Sequence, residues 1–425
     1  MRDAVDAAHS VRSGSVSARE LVAAAGVAER RLAGLGALWA RDEEREFATA
    51  AEVDKRVAGG LDAGALAGAV VAVKDCFDVA GLPTTSGVRL PTEQARTDAV
   101  VVARLRRAGA IPFGKAAMDQ LGWTVGGQAP GFPPCLNPVD PALSPGGSSS
   151  GAAVAVAAGI VHAAIGTDVG GSVRIPAAWC GVVGFKPPLG SIPLAGVVPF
   201  APRFDLPGVI ARTVHDCEAV AAVLRGITVM APDRGRPTVA LLEDALAASA
   251  PEQAAACERA VRAIESDADI VIGALGPAPR GFGRVLAAEL AGTWGPRVEA
   301  QPDRFTDDVR ASVAYGRGMS ADDQAEVLRQ LGLWRVEIEQ QLAGYDVVCL
   351  PTTPSAPPPP AAVFSDEATR LTRPFNVLGW PALSLPVGLD GQRRPLSLQL
   401  AARPSNESLL FVVARAIERA VTQAA

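Results

Sequence analysis

The chain has 425 residues, of which 49% are apolar and 20% are charged. This composition supports a large buried core and excludes an intrinsically disordered protein. The 40 basic and 45 acidic residues give a net charge of −5, which excludes the strongly basic surface typical of nucleic-acid-binding proteins.

The sequence offers no targeting or membrane signal. Residues 1–15 contain no apolar core, so we expect no secretory signal peptide. The longest mostly apolar run, residues 151–166, includes His162 and is shorter than the roughly 20 residues that span a membrane. The six cysteines are scattered without CxxC spacing, which is typical of buried thiols rather than of a metal site or a disulfide framework. We therefore expect a cytoplasmic protein with no membrane or metal partner.

Helices and short apolar strands alternate in the first part of the chain. Ser17 and Glu20 have the spacing of a capping box, which marks the start of a helix. The first apolar, β-branched run ends at Lys74 and predicts a buried strand. In chain order, the predicted elements are a helix over 17–38, a strand over 67–73, a helix over 97–108 and a strand over 110–114.

The rest of the chain is less regular. Residues 129–147 are rich in proline and glycine and predict an irregular loop. Residues 234–340 are rich in Ala, Asp, Glu and Arg, show helical stretches and carry no chemical motif. Later elements are predicted as strands over 344–350, 382–387 and 396–400 and a helix over 406–425. The alternation indicates an α/β fold. No linker separates two halves, so we expect one domain over 1–425 with a variable middle segment.

Lysine accounts for only four of the 40 basic residues. Arginine stays protonated in proteins, whereas a buried lysine can lose its proton. Lys74, at the end of an apolar strand, has the setting of such a base. We interpret Lys115 and Lys186 as structural residues at strand ends and Lys55 as a surface residue of a helix.

A cluster of glycine and serine at residues 144–151 (SPGGSSSG) is followed by a second one at 166–177 (GTDVGGSVRIPA). A phosphate-binding loop would need a lysine after its last glycine, and neither cluster has one. Residues 147–151 fit the GxSxG pattern of a nucleophile elbow, with Ser149 at the centre. However, a proline-rich loop replaces the required strand before it. The three histidines that could serve as its base have structural settings: His9, His162 and His215.

The third interpretation is a serine activated by lysine. A serine needs an adjacent base to become a nucleophile, and a desolvated Lys74 is the remaining candidate. Ser148 could relay the proton between this amine and Ser172. The pair Gly170-Gly171 allows a tight turn whose N–H groups converge on one point, as in an oxyanion hole.

The segments AVKD around Lys74, SPGGSSSG around Ser148 and GTDVGGSVRIPAAWCGVVGFKP around Ser172 resemble the amidase signature family. The similarity extends over further segments: 78–87, 114–119, 345–354 and 372–388. It implies a large mixed central β-sheet covered by α-helices on both faces. It also implies a triad in which Ser172 is the nucleophile, Ser148 (after a cis peptide bond) the relay and Lys74 the base.

The same resemblance implies the surroundings of the triad. The oxyanion hole would be formed by the N–H groups of Val169, Gly170, Gly171 and Ser172. Supporting residues would be Ser149, Thr167, Asp168 and Arg174, and we interpret Arg174 as an ion-pair partner rather than a ligand of substrate. One departure is Ser150, where the family often has glycine. The expected substrate-binding residues are Trp123, Gly126, Gly127, Gln128 and Trp380.

These observations predict an amidase that hydrolyses a carboxylic amide through a serine acyl-enzyme, without metal or organic cofactor. The expected partner is a small-molecule amide, and the family expectation for assembly is a homodimer. One alternative is the amidase (A) subunit of a tRNA-dependent amidotransferase. Another is a non-catalytic binding protein that retains the fold.

Overall fold

The computed structural model describes residues 3–90, 92–228, 236–276, 279 and 281–424. Its strands are β1 (Leu38–Ala40), β2 (Val70–Lys74), β3 (Ile111–Ala116), β4 (Ala163–Thr167), β5 (Val183–Lys186), β6 (Pro207–Ala211), β7 (Thr238–Leu242), β8 (Asp269–Gly273), β9 (Val347–Pro351), β10 (Ala382–Leu389) and β11 (Pro395–Ala401). Within the described residues these eleven strands form one sheet in the order β1-β3-β2-β4-β6-β5-β10-β11-β9-β7-β8.

The sheet is mixed. Strand β2 runs parallel to both of its neighbours, β3 and β4, and β7 runs parallel to β8 and β9. The strands between these two parallel groups pair antiparallel. The predicted α/β fold with a large mixed central sheet is confirmed.

Helices cover both faces of this sheet. They are α1 (Ala4–Arg12), α2 (Ala18–Arg31), α3 (Glu43–Ala58), α4 (Val100–Arg107), α5 (Ser150–Ala157), α6 (Arg174–Cys180), α7 (Val214–Arg225), α8 (Glu243–Ala247), α9 (Pro251–Arg262), α10 (Phe282–Ala300), α11 (Asp307–Gly318), α12 (Ala321–Gln341), α13 (Ser365–Thr369), α14 (Arg373–Val377) and α15 (Glu407–Ala424). Among the described helices, none has the length and apolar character needed to cross a lipid bilayer.

The alternation of side chains along β2 shows how the two faces are buried, since successive residues of a strand point to opposite faces. Val71 and Val73 belong to a core cluster that also contains side chains of α4, α7, α9 and α15. Val70 and Ala72 belong to a second cluster, with side chains of α2, α3, α5 and α6. Both sides of the strand are thus closed to water, and residues at its end lie deep in the protein.

Most elements predicted from the sequence are present, but one predicted helix ends early and two strands of the middle segment were not predicted. The capping box of Ser17 and Glu20 starts α2 as expected. The predicted helix over 17–38 ends early, since α2 stops at Arg31 and a short 3-10 helix follows at Ala33–Leu35. That 3-10 helix ends at Gly36, which takes a left-handed conformation (φ 64°) and where a Cβ would lie 2.3 Å from the carbonyl oxygen of Pro134. The segment 234–340 also holds two strands, β7 and β8, that the helical pattern did not predict. Residues 234–235, 277–278 and 280 of that segment, and residue 425 of the last predicted helix, lie outside the described residues.

Candidate active site

The candidate site lies where the parallel strands β2, β3 and β4 end. Carboxyl ends of parallel strands meet at one edge of a sheet, which places their terminal side chains together. Strand β2 ends at Lys74 and β4 ends at Thr167, with Val73 and Ile165 in register. As a result, Lys74 Nζ lies 2.8 Å from Thr167 Oγ1.

Ser148 is brought to the same place by the loop that precedes α5. Its Oγ lies 2.8 Å from Lys74 Nζ. Its carbonyl oxygen accepts a hydrogen bond from the N–H of Asp119 (3.2 Å), just beyond β3. The next N–H, that of Ser149, donates to the carbonyl oxygen of Ser172 (3.1 Å). The peptide bond that enters Ser148 is cis. The backbone therefore joins the two serine-containing segments that the sequence analysis singled out.

Lys74 is fully buried, and burial lowers the pKa of its amine because the charged form loses hydration. The carboxylates of Asp119, Asp168 and Asp205 oppose this shift from a distance. The neighbouring Cys76 supplies little counter-charge, since burial raises the pKa of its thiol to about 11. Among the described residues, no carboxylate lies within ion-pair distance of Lys74. Its contacts are hydroxyl groups, which suit a neutral amine as well as a charged one.

The loop after β4 is fixed by Asp168. The guanidinium of Arg174 donates to this carboxylate from Nε (2.9 Å) and from Nη2 (2.8 Å), and Asn376 Nδ2 donates to it as well (2.9 Å). Burial alone would raise the pKa of Asp168, but the guanidinium outweighs it and holds that pKa well below its usual range. Arg174 is itself fully buried and acts as an ion-pair partner, in agreement with the sequence interpretation.

Backbone N–H groups of this loop remain available for a ligand. Within the described part of the chain, the N–H groups of Val169, Gly170 and Ser172 have no protein acceptor. The N–H of Gly171 differs from the prediction, because it donates to Asp168 Oδ1 (2.9 Å). A glycine is required at position 171 for steric reasons, since a Cβ at its φ of 128° would lie 2.3 Å from Thr372 Oγ1.

Ser172 separates two spaces. One, which we call the inner cavity, has a volume of about 20 Å³ and is bordered by Ser148, Ser172, Thr167, Cys76, Ser86 and Asp205 together with apolar side chains. The other, which we call the outer groove, has a volume of about 570 Å³ and is bordered by Ser172, Val169, Gly170 and the loop at 122–128. Ser148 and Ser172 both line the inner cavity. Among the hydrogen bonds of the described residues, Ser148 Oγ is bonded to Lys74 Nζ and not to Ser172 Oγ.

Two polar residues of the inner cavity were not among the predicted site residues. Asp205 is 7% exposed and accepts hydrogen bonds from the N–H groups of Phe200 (2.9 Å) and Ala201 (3.0 Å). Burial raises the pKa of its carboxyl. Ser86 is buried, and its Oγ has no partner among the described residues. Ser86 stands in the similarity segment 78–87 and Asp205 outside every such segment, and both reach the cavity through tertiary packing.

The predicted substrate-binding residues divide into two groups. Trp123, Gly126 and Gln128 line the outer groove. The N–H of Gly127 donates instead to Asp119, and this glycine borders a different small cavity. The prediction for Trp380 is wrong: its side chain is 2% exposed and packs in a hydrophobic cluster beneath the sheet, away from both spaces.

The serines beside Ser148 are structural. Ser149 Oγ donates to the carbonyl oxygen of Thr167 (3.3 Å) and is fully buried, so the centre of the GxSxG match is not an exposed nucleophile. Ser150 replaces a glycine without strain because it begins α5, and its Oγ donates to the carbonyl oxygen of Ala117 (3.4 Å).

The remaining candidate bases have structural partners. Lys115 pairs with Asp75 (3.2 Å), and Lys55 is exposed on α3. Lys186 Nζ donates to the carbonyl oxygen of Pro187 (3.1 Å), and burial lowers the pKa of this amine to about 7. His162 is buried, with Nδ1 accepting from the N–H of Val70 (2.9 Å). Searched over the described residues, the chain has no group of His, Cys, Asp and Glu side chains arranged for a metal ion.

The chain is similar to known proteins over nearly its whole length. The chain is 34% identical to a glutamyl-tRNA(Gln) amidotransferase subunit of Anaeromyxobacter sp. (strain K), over 97% of this chain and 95% of that protein. It is 33% identical to the 2-amino-5-chloromuconic acid deaminase of Comamonas testosteroni, over 90% of this chain and 88% of that protein. A crystal structure of an amidase superposes with a TM-score of 0.92 at 29% identity, covering 98% of this chain and 99% of that one.

The family model named Amidase matches residues 28–254 and 298–411. The unmatched residues between these two blocks lie inside the segment 234–340, where the sequence shows no motif. The matched blocks contain Lys74, Ser148 and Ser172. The chain therefore belongs to the amidase signature family.

Proposed function

We propose that this protein hydrolyses the C–N bond of linear carboxylic amides through an acyl-enzyme on Ser172. One observation carries the proposal: a fully buried lysine, Lys74, lies 2.8 Å from the hydroxyl of Ser148, and Ser148 shares the inner cavity with Ser172. A buried amine with hydroxyl partners favours its neutral form, which is the form that accepts a proton.

In the proposed reaction, neutral Lys74 takes the hydroxyl proton of Ser148, which takes that of Ser172. Ser172 Oγ then bonds to the amide carbon, and the oxyanion accepts hydrogen bonds from the free N–H groups of Val169, Gly170 and Ser172. The C–N bond breaks while the proton returns through Ser148 to the nitrogen, which leaves as ammonia or an amine. Water then cleaves the ester, releasing a carboxylic acid and Ser172.

The sizes of the two spaces support the proposed reaction, in which the inner cavity takes the leaving group and then water, and the outer groove takes the acyl group. The inner cavity has a volume of about 20 Å³, which exceeds the roughly 10–15 Å³ that one water molecule needs. The cavity therefore suits ammonia in the first half of the reaction and the hydrolytic water in the second. The outer groove is large enough for the acyl group.

A serine-directed fluorophosphonate probe tests the nucleophile. We expect the probe to label the peptide that contains Ser172, and amides that are substrates to slow this labelling by competition. The variant Ser172→Ala should lose labelling and turnover, whereas Ser13→Ala, which removes an exposed serine of the N-terminal region, should keep both. Labelling confined to another serine would contradict the proposal.

A second candidate function is that of an amidotransferase subunit, because one relative with that name matches nearly the whole chain. The two candidates differ in their need for partners. The purified chain alone should hydrolyse simple amides if it is a free-standing amidase. Activity that appears only after the other subunits and tRNA are added would favour the amidotransferase.

A further inference from the structure

We infer that Arg373 binds a carboxylate on the acyl part of the substrate, so that the preferred substrates are amides of dicarboxylic acids with one free acid group. This inference rests on the proposed function and adds a substrate class to it. It follows from where Arg373 lies, how it is held and what its guanidinium contacts.

Arg373 is the first residue of α14 and lines the outer groove together with Ser172 and Gly170. Among the described lining residues of that groove it is the one cationic side chain. Its stem passes close to the loop with free N–H groups: a Cβ placed on Gly170 would lie 3.9 Å from Arg373 Cγ. A substrate whose carbonyl sits at this loop therefore extends toward the guanidinium.

Hydrogen bonds before and after Arg373 in the chain attach its backbone to the loop that follows β4 and leads to Ser172. Before it, Thr372 Oγ1 donates to the carbonyl oxygen of Gly170 (2.6 Å), and the carbonyl oxygen of Thr372 accepts from Arg174 Nη1 (3.0 Å). After it, Asn376 Nδ2 donates to Asp168 Oδ1 (2.9 Å). Two of these bonds are buried and that of Thr372 Oγ1 is partly buried, so they hold the base of the Arg373 side chain in position relative to Ser172. A residue that determines specificity requires such a rigid attachment to the fold.

The guanidinium of Arg373 has more N–H donors than its described partner uses. Its described partner is Asp366, at 2.5 Å from Nη2, and the Asp366 side chain is 94% exposed. An ion pair with so exposed a carboxylate is weak, since water competes for both partners. A guanidinium carries five N–H donors and binds carboxylates in pairs, so a substrate carboxylate can join or replace Asp366. Asp308, the other acidic residue of the groove, is also exposed and therefore screened.

The inner cavity decides which half of the substrate reaches Arg373. That cavity has room for water or ammonia, whereas the outer groove is much larger, so we place the acyl chain in the outer groove. The carboxylate must then stand on the acyl side of the scissile bond. The leaving group is ammonia, and the product is a dicarboxylic acid.

The experiment compares monoamides of succinic, glutaric and adipic acid with the corresponding diamides, in which a neutral carboxamide replaces the carboxylate. We measure kcat/KM for each pair, corrected for the two equivalent amides of the diamide. We expect the monoamide of the best chain length to be preferred by roughly 10- to 100-fold, the effect of a charge-assisted hydrogen bond. Arg373→Met should abolish this preference, and Arg373→Lys should restore part of it.

One further variant serves as a matched control, and another tests the competing carboxylate. Arg370→Met removes an arginine three residues earlier, whose partners are Glu367 and the carbonyl oxygen of Ala248, and should leave the preference unchanged. Asp366→Asn removes the competing carboxylate and should increase the preference. Equal turnover of monoamides and diamides, or a preference that survives in Arg373→Met, would overturn the inference while leaving the amidase proposal intact. Absence of turnover for every amide, with no probe labelling of Ser172, would instead refute the proposed function and this inference with it.

Discussion

Two buried lysines on adjacent strands have opposite surroundings. Lys74 ends β2, and Lys115 lies in β3 opposite Val73, the residue before Lys74. Both side chains are fully buried. Lys115 Nζ lies 3.2 Å from a carboxylate oxygen of Asp75 and also donates to Thr84 Oγ1 (2.9 Å). Lys74 Nζ contacts hydroxyls.

Burial lowers the pKa of both amines, so burial alone does not separate them. At Lys115 a contacting carboxylate opposes the shift and stabilises the cation. At Lys74 the carboxylates act only from a distance, and the hydroxyl groups accept or donate equally well. The two lysines thus differ in their immediate partners rather than in depth, and on that difference we propose a structural role for Lys115 and proton transfer for Lys74.

The largest expected effect is on turnover. Replacing Lys74 with Met removes the proposed base, and we expect kcat to fall by roughly 10²- to 10⁴-fold. Circular dichroism should show an intact fold, because the variant also removes a desolvated amine. Lys55→Met, at the exposed lysine of α3, is the matched control and should retain full activity. A Lys74→Met enzyme with normal kcat would break the comparison.

The next effect is on stability. Replacing Lys115 with Met leaves Asp75 buried without its ion-pair partner, and we expect a loss of about 3–5 kcal/mol in the free energy of unfolding. Urea denaturation measures this loss. The double variant Lys115→Met, Asp75→Asn should recover part of it, because the unpaired charge is gone. If Lys115→Met instead kept its stability and lost kcat as Lys74→Met does, the two lysines would not differ as described.

The smallest expected effect is on the pH dependence of kcat/KM. A protonated Lys74 cannot accept the proton of Ser148, so below the lowered pKa of this amine kcat/KM should fall about tenfold per pH unit. Above that pKa the rate should be flat. Burial also lowers the pKa of Lys186, to about 7, so this amine is an alternative source of an acidic limb. The acidic limb should therefore keep its position in Lys186→Met, and a limb that moves in this variant would assign the titration to the wrong lysine.

The chemistry of the site was predictable where it depends on short motifs. Lys74, Ser148 and Ser172 each stand in a segment with a local signature, and parallel strands bring the ends of such segments together. Strands β7 and β8 were missed because their flanks are rich in helix-forming residues. Strand β8 is also partly exposed and lacks a buried apolar run.

The substrate space was predictable only in part, because segments far apart in the chain form it. Trp123 reaches the outer groove, whereas Trp380 turns into the core, although both follow motif-like loops. Asp205 lies outside the segments of family similarity, whereas Ser86 and Arg373 lie inside the segments 78–87 and 372–388, which do not mark either residue for a role. Their roles depend on packing between elements, which composition and periodicity do not encode.

The attachment to α14 of the loop that follows β4 and leads to Ser172 has a consequence for protein synthesis. The carboxylate at position 168 is bound by the amide of Asn376, which the ribosome adds 208 residues later. A nascent polypeptide that stops before α14 contains Lys74, Ser148 and Ser172 but lacks the clamp that orients the loop. The proposed activity should thus arise only when the carboxyl-terminal quarter has emerged and folded back, and incomplete chains should not hydrolyse amides.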